Sequence, residues 1–335
     1  MKAKIKSKLN LENRTPLQDV IPIETPFLLY LDPSSLCNFK CQFCPSGHRN
    51  LIENVGYKRS IMELELFYKI IDDLKEFNNP IKFLRMNKIG EPFLNKNLEK
   101  MIDYAKKSGK IEKIDLATNG ALFDKERLAA VIDAGVDRIN ISVEGVNVEQ
   151  YKKYCGVELD FEKFLENVKW LYANKKDCEI TAKIPKNYLT EDDEKSFYDI
   201  FGNYCDRIFV ENLTSIWPAF DIQKHSDIKI SDASQYSQKQ EDKDVCSYIF
   251  YSMAINSDGT VSACCPDWEQ KLIIGDTNKQ SLKEIWNSPE YNSLRIQHLE
   301  GKRCENLTCS ICGHIKHCQI DNIDPYKDKI LKKFI

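Results

Sequence analysis

The sequence predicts an α/β protein: a partial (β/α)6 barrel followed by a small cysteine-rich C-terminal domain. Three observations predict it. Strand-like and helix-like segments alternate from residue 27 to about residue 213, the pattern of a parallel sheet with helical crossovers. The chain has 335 residues with 42% hydrophobic content, enough for one large domain plus a small one. Its 13 cysteines gather mainly in two places.

The elements follow in order. FLLYLD (27–32) reads as a buried strand, and MELELFYKIIDDLKEF (62–77) has helical spacing at Leu64, Phe67, Ile70, Ile71 and Leu74. IKFLRMN (81–87) is a strand, and NLEKMIDYAKKSG (97–109) a helix with a glycine stop. Strands at 113–119, 137–143, 178–184 and 206–213 alternate with helices at 124–135, 161–174 and 191–204. Six strands with five helices between them suggest an incomplete barrel, whose chemistry gathers at the C-terminal strand ends. Residues 218–245 are polar and weakly periodic, and read as a linker or substrate-covering loop. A hairpin around Asn256–Gly259, a helix at 281–298 and a cysteine-rich end complete the chain. The organisation is thus an extension (1–26), a barrel (27–217), a loop (218–245) and a C-terminal domain (246–335).

Composition excludes several classes. A formal net charge of -3 gives no argument for nucleic acid as a partner. No run approaches a membrane span, and no apolar segment follows the basic start MKAKIKSKLN. The lysines there read as a solvated, frayed end. A cytoplasmic location follows, and with it metal or redox chemistry for the cysteines in place of disulfides. Cys155, Cys178 and Cys205 stand alone near apolar stretches and read as buried small hydrophobes.

The stretch SSLCNFKCQFCPSGH places Cys37, Cys41 and Cys44 in one loop after the first strand. Four thiolates would close a tetrahedral zinc site. Three thiolates on a cubane iron–sulfur cluster leave one iron open for a non-protein ligand. This C-x3-C-x2-C loop resembles the signature of radical S-adenosylmethionine (radical SAM) enzymes. Phe43 precedes the third cysteine, where the family's aromatic meets the SAM adenine. IGEP (Ile89–Pro92) is similar to the family's GGEP segment, which binds the methionine amino group; Ile89 departs from it, and Gly90 and Glu91 match. TNG (118–120), with Asn119, is another frequent family segment. By resemblance, Ser142 of ISVEG contacts the SAM ribose or carboxylate. The resemblance implies an open [4Fe–4S] cluster that binds SAM. It also implies a 5′-deoxyadenosyl radical that abstracts hydrogen from an unactivated C–H bond, and an electron donor such as flavodoxin or ferredoxin.

The second group spans Cys246, Cys264, Cys265, Cys304, Cys309, Cys312 and Cys318. With its Gly259-x4-Cys264 spacing and the helix SLKEIWNSPEYNSLR, this end resembles the SPASM domain, which holds one or two auxiliary [4Fe–4S] clusters. The resemblance implies Cys246, Cys264, Cys309 and Cys312 as ligands of one closed cluster. Cys265 is an alternative ligand, an inert neighbour or a thiol hydrogen donor. Cys304 and Cys318 are candidates for a second auxiliary cluster. A structural zinc ribbon is the competing reading, in which His314 and His317 would ligate; otherwise they read as solvated. Trp286 reads as core.

Related SPASM enzymes modify peptides or oxidise and epimerise carbohydrates and alcohols. The short extension before the first strand disfavours leader-dependent peptide modification. The expected substrate is a sugar, sugar nucleotide or polyol, undergoing oxidation or epimerisation. A ribosomally made peptide and a non-catalytic metal-binding scaffold are the alternatives.

Overall fold

The computed structural model describes residues 1–7, 9 and 14–335. Its strands are β1 (Lys4–Ile5), β2 (Leu28–Leu31), β3 (Ile81–Arg85), β4 (Ile111–Thr118) and β5 (Arg138–Ser142), then β6 (Glu179–Pro185), β7 (Arg207–Glu211), β8 (Ser252–Ile255), β9 (Thr260–Ser262) and β10 (Ile273–Asp276). They form one sheet in the order β1-β7-β6-β5-β4-β3-β2-β8-β9-β10. Every pairing from β1 to β8 is parallel, and β9 and β10 close the edge antiparallel. The six expected strands are thus β2 to β7, in sequential order.

The five expected crossover helices are Leu64–Asp73, Leu98–Lys107, Lys125–Asp133, Phe161–Asn174 and Glu191–Phe201. The starts of the last three are chemically fixed. Asp124 and Asp160 accept N–H groups of the first turn, and Thr190 and Asp193 form a capping box. Their apolar faces, such as Phe67, Ile70, Leu128, Val168 and Phe197, bury against outward residues Leu84, Ile114, Ile139, Ile180 and Ile208. Alternation along each strand then turns Tyr30, Arg85, Asp115, Asn140, Thr181 and Lys183 inward.

Several expectations need correction. The basic N-terminus is not frayed: Lys4–Ile5 adds a parallel strand to β7, and Ala3 is buried. An open sheet edge supplies the backbone partners that composition cannot reveal. Lys8 and Asn10 of that stretch lie outside the described residues. The expected helix at 281–298 is two helices, Leu282–Trp286 and Pro289–Leu299. Ser288 caps the second, with Pro289 in its first turn, so the chain turns where a single helix was read. A further helix, Val148–Cys155, follows β5; it buries only Tyr151 and Cys155, too sparse a stripe to announce itself.

Residues 218–245 also do more than link. Phe220, Ile222 and Ile228 form a second apolar cluster with Phe43, Ile89 and Trp268. Trp268 donates its indole N–H to the Pro218 carbonyl at 2.6 Å. Tyr236 lays its ring against Phe209 of β7, with centroids 6.0 Å apart.

The C-terminal domain is not a separate body on a tether. β8 pairs with β2 through all four of its residues, Leu28↔Ser252 to Leu31↔Ile255. Buried Lys88, just past β3, donates to Asn256 Oδ1 at 2.5 Å and to the Asp267 carbonyl at 2.8 Å. Trp286 is core, as expected, and its indole donates to the Ile23 carbonyl at 3.1 Å. Among the described residues, no helix is long and apolar enough to cross a membrane.

Candidate functional site

The three-cysteine loop leaves the C-terminal end of β2 and is pinned on three sides. The Lys40 and Gln42 N–H groups donate to the Cys155 and Tyr154 carbonyls at 2.8 and 2.9 Å. The unforeseen helix Val148–Cys155 is therefore the floor of the loop. Phe39 packs edge-on against Tyr151, with centroids 5.9 Å apart. The Glu91 N–H donates to the Leu36 carbonyl at 2.8 Å. Gly90 has to be glycine, because a Cβ there would stand 1.8 Å from the Ser34 carbonyl oxygen. Gly47 folds the loop onto itself in the same way, 2.4 Å from the Cys41 oxygen.

Glu91 ties the strand ends together. Its carboxylate accepts the Phe93 N–H at 3.0 Å, the Thr118 hydroxyl at 2.7 Å and the Asn119 N–H at 2.8 Å. Asn119 in turn donates through Nδ2 to Asn38 Oδ1, inside the cysteine loop, at 2.8 Å. The GEP and TNG segments thus form one hydrogen-bonded frame with the loop. Ile89, the departure from the family pattern, turns its side chain into the apolar cluster with Phe43. Phe43 stacks on Tyr188 at 6.0 Å, and Tyr188 on Tyr154 at 4.1 Å. Ser142 stands at the end of β5, in register with Lys183.

Cys41 and Cys44 add to the proton affinity of Cys37, and Cys41 adds to that of Cys44. Burial is the larger cause for Cys37 and Cys44, and pushes Cys44 up to about 12. Cys41 is raised first by a hydrogen bond with Cys155 and then by burial. Cys155, Cys178 and Cys205 are buried as expected, and Cys155 sits directly against the loop. Thiols this reluctant to ionise in an apolar setting need a cationic occupant to become ligands.

Two carboxyls at the strand ends are also perturbed. Glu144, buried next to the Lys183–Glu211 ion pair and within 3.4 Å of the Tyr188 hydroxyl, is pushed up to about 7 by burial. Burial likewise pushes Glu91 up from 4.5 to about 7.

The auxiliary side has its own cavity. Cys246, Cys264, Cys309 and Cys312 line it together, with Tyr248, His298, Arg303, His314 and Gln319. Cys265, the next residue, turns away and packs against Tyr30 and Ala254 on the inward face of the sheet. Cys304 is exposed beside Arg303, and Cys318 is buried with its thiol 3.1 Å from Gln235 Oε1. Neither lines the four-cysteine cavity. The solvated reading of the histidines is overturned. His314 is buried in the cavity wall, and His317 is buried against the Ala233 carbonyl and Gln240.

A cluster fits this cavity better than zinc does. Among the described residues, no three His, Cys, Asp or Glu side chains converge tightly enough for a single metal ion. A cubane takes its thiolates at separate corners. The wall also carries two orphaned donors, His298 Nε2 and Arg303 Nε, both buried without a partner. His298 is neutral, because burial lowers it to about 3, and its Nδ1 accepts the Cys246 N–H at 3.2 Å. The ring proton therefore sits on Nε2. Two unspent N–H donors beside four cysteines suit an anionic thiolate-bound occupant.

Two predictions follow from this geometry. Glu91 binds its proton more tightly folded than unfolded, so between about pH 4.5 and 7 the folded chain holds a proton the unfolded chain has released. That stability is full below the window and is lost as pH rises through it. The metal-free protein should lose thermal stability across this range, and Glu91→Gln should flatten part of the fall; parallel melting curves would contradict it. His298→Leu should weaken the electron affinity of a cluster in the auxiliary cavity about tenfold, roughly 59 mV for one electron. An EPR-monitored potentiometric titration reads the shift, and an unmoved midpoint would contradict the donor role.

Comparison with known proteins bears on both halves. Residues 31–194 match the radical SAM superfamily, and residues 246–318 match SPASM, an iron–sulfur cluster-binding domain. A tungsten-containing aldehyde ferredoxin oxidoreductase cofactor-modifying protein of Pyrococcus furiosus is 32% identical over 332 residues, covering 88% of this chain and 90% of that one. A probable GTP 3′,8-cyclase of Methanococcus maripaludis is 37% identical over 129 residues, which span 38% of this chain and only 39% of the cyclase. Two solved structures share the fold. Streptococcus suis SuiB bound to precursor peptide SuiA aligns with TM-score 0.64 at 16% identity, over 90% of this chain and 73% of SuiB. BtrN in complex with AdoMet and 2-DOIA aligns with TM-score 0.54 at 17% identity, over 88% and 97%. The chain belongs to the radical SAM superfamily, with a [4Fe–4S] cluster and SAM as barrel cofactors and a C-terminal SPASM domain for auxiliary iron–sulfur chemistry.

Proposed function

We propose that the protein oxidises a secondary alcohol of a small hydroxylated molecule, a sugar or polyol, to a ketone. The observation that carries this reading is the position of the auxiliary cavity. Its wall residue Tyr248 hydrogen-bonds Tyr30 on the inward face of the barrel sheet. A two-electron oxidation needs an electron sink beside the substrate, and this arrangement supplies one.

Bound at the three-cysteine loop, a cluster with SAM would supply the radical chemistry that removes the carbinol hydrogen atom. Cys37, Cys41 and Cys44 would hold that cluster, and the hydrogen-bonded frame of Gly90, Glu91 and Asn119 would fix the strand ends beside SAM. Phe43 and Ser142 flank it. Cys246, Cys264, Cys309 and Cys312 would hold the auxiliary cluster, which would supply the sink for the second electron, and Glu144, whose carboxyl is raised to about 7, would take the hydroxyl proton. Residues 218–228 cover the loop and keep water out.

A flavodoxin or ferredoxin fits the need for single electrons. All 13 cysteines are free, which suits the reducing cytoplasm. Ile89 packs in the apolar cluster with Phe43, which supports the catalytic reading over a metal-binding scaffold.

Cys265 decides between oxidation and epimerisation. Its place on the inward face would also suit a thiol that returns a hydrogen atom. In the oxidation reading, Cys265→Ala leaves ketone formation intact, and product formed in deuterium oxide carries no deuterium at the reacting carbon. Solvent deuterium in the product, lost in Cys265→Ala, would establish epimerisation. Dehydrogenation of a ribosomally made peptide, seen by mass spectrometry, would replace the sugar reading.

A further inference from the structure

The inward face of the sheet is polar where barrels of this kind are usually filled by branched apolar side chains. Most of its groups are already spoken for. Arg85 donates to Asp115 at 2.7 and 3.0 Å and to the Tyr30 hydroxyl at 3.2 Å. Asn140 donates through Nδ2 to Asp115 and to the Leu116 carbonyl. Lys183 is paired with Glu211. Two groups are not spoken for. Asn140 Oδ1 and Thr181 Oγ1 are buried and have no hydrogen-bond partner, in residues only 6% and 1% exposed. They are neighbours, because Asn140 and Thr181 are register partners on β5 and β6. Native structures rarely leave such groups unpaired unless something else completes them.

We propose that Asn140 Oδ1 and Thr181 Oγ1 form a hydroxyl-binding subsite inside the barrel for a neutral polyol or unphosphorylated sugar. Charge argues for neutrality. Arg85 is met by Asp115, Lys183 by Glu211, and Arg138 and Arg207 (the latter in register with Thr181) by Glu179, so among the described residues each cation of this face already has a carboxylate partner. An acceptor and a hydroxyl side by side match adjacent hydroxyls of a ring. The subsite lies below Ser142 and Lys183, the next inward positions toward the C-terminal strand ends. The proposal rests on the alcohol-oxidation reading and narrows its substrate class.

The test uses the full chain, reconstituted without oxygen and loaded with SAM. The probes are myo-inositol, D-glucose and glucose 6-phosphate, with binding read by calorimetry and thermal shift. The variants are Thr181→Val, which keeps the shape and removes the hydroxyl, and Thr181→Ser, which restores it. The neutral probes should bind the wild type, about tenfold more weakly to Thr181→Val, and near the wild-type level to Thr181→Ser. Without probe, Thr181→Val should melt no lower than the wild type, because the hydroxyl has no partner to lose. Three results would overturn the subsite: unchanged binding to Thr181→Val, preference for glucose 6-phosphate, or no binding of either neutral probe. Release of 5′-deoxyadenosine from the same wild-type samples separates the two levels. If it forms without probe binding, the subsite fails and the radical reading stands; if it never forms, the radical reading itself fails.

Discussion

Four residues of the C-terminal domain, Ser252 to Ile255, pair in parallel with Leu28 to Leu31, the strand that launches the three-cysteine loop. The arrangement of the two iron–sulfur sites depends on this contact. The same strand β2 feeds Cys37, Cys41 and Cys44 at its end and carries Tyr30 on its inward face. Its partner β8 begins just after Cys246 and Tyr248. A shared backbone ladder thus fixes the auxiliary cavity against the barrel interior, and Lys88 locks the joint with hydrogen bonds to Asn256 and Asp267.

The barrel interior carries a stability cost that follows from the same design. Asp32, Glu91 and Glu144 are all buried and all pushed upward, to about 6, 7 and 7. Asn140 and Thr181 leave hydrogen-bonding capacity unused. Each departs from what packing alone would choose, at a cost of about 1–3 kcal/mol for an unsatisfied buried group. Such departures gather at the C-terminal ends and inner face of the parallel strands, where chemistry is placed in barrels of this class. The helix-facing side of the sheet is mainly apolar, apart from the Lys82–Glu112 ion pair at the strand starts, and carries the cohesion.

Much of this was legible in the sequence, because the strands β2 to β7 and their helices have strong periodicity and short turns. The cysteine groupings were legible too, since ligand spacing along a loop is local. What escaped depends on distant partners. The strand at Lys4–Ile5 exists only because β7 offers an open edge, and the helix Val148–Cys155 buries just two side chains. Lys88 reads as a surface lysine until Asn256 and Asp267 arrive from the other domain. His298 and Arg303 carry no motif, and only the cavity shows that they hold unspent donors. Asn140 gave a faint signal, since β5 reads Arg-Ile-Asn-Ile-Ser and alternates polar inward residues with isoleucines. The split at Ser288–Pro289 was also readable, from a capping serine followed by proline.

The most direct test of the account is a count of iron and of SAM cleavage after reconstitution without oxygen. Wild type is compared with a variant in which Cys37, Cys41 and Cys44 are all alanine. The account requires about eight irons per chain in the wild type and about four in the variant, with 5′-deoxyadenosine formed only by the wild type. Zinc in the C-terminal site, or full iron loading without SAM cleavage under a strong reductant, would contradict it.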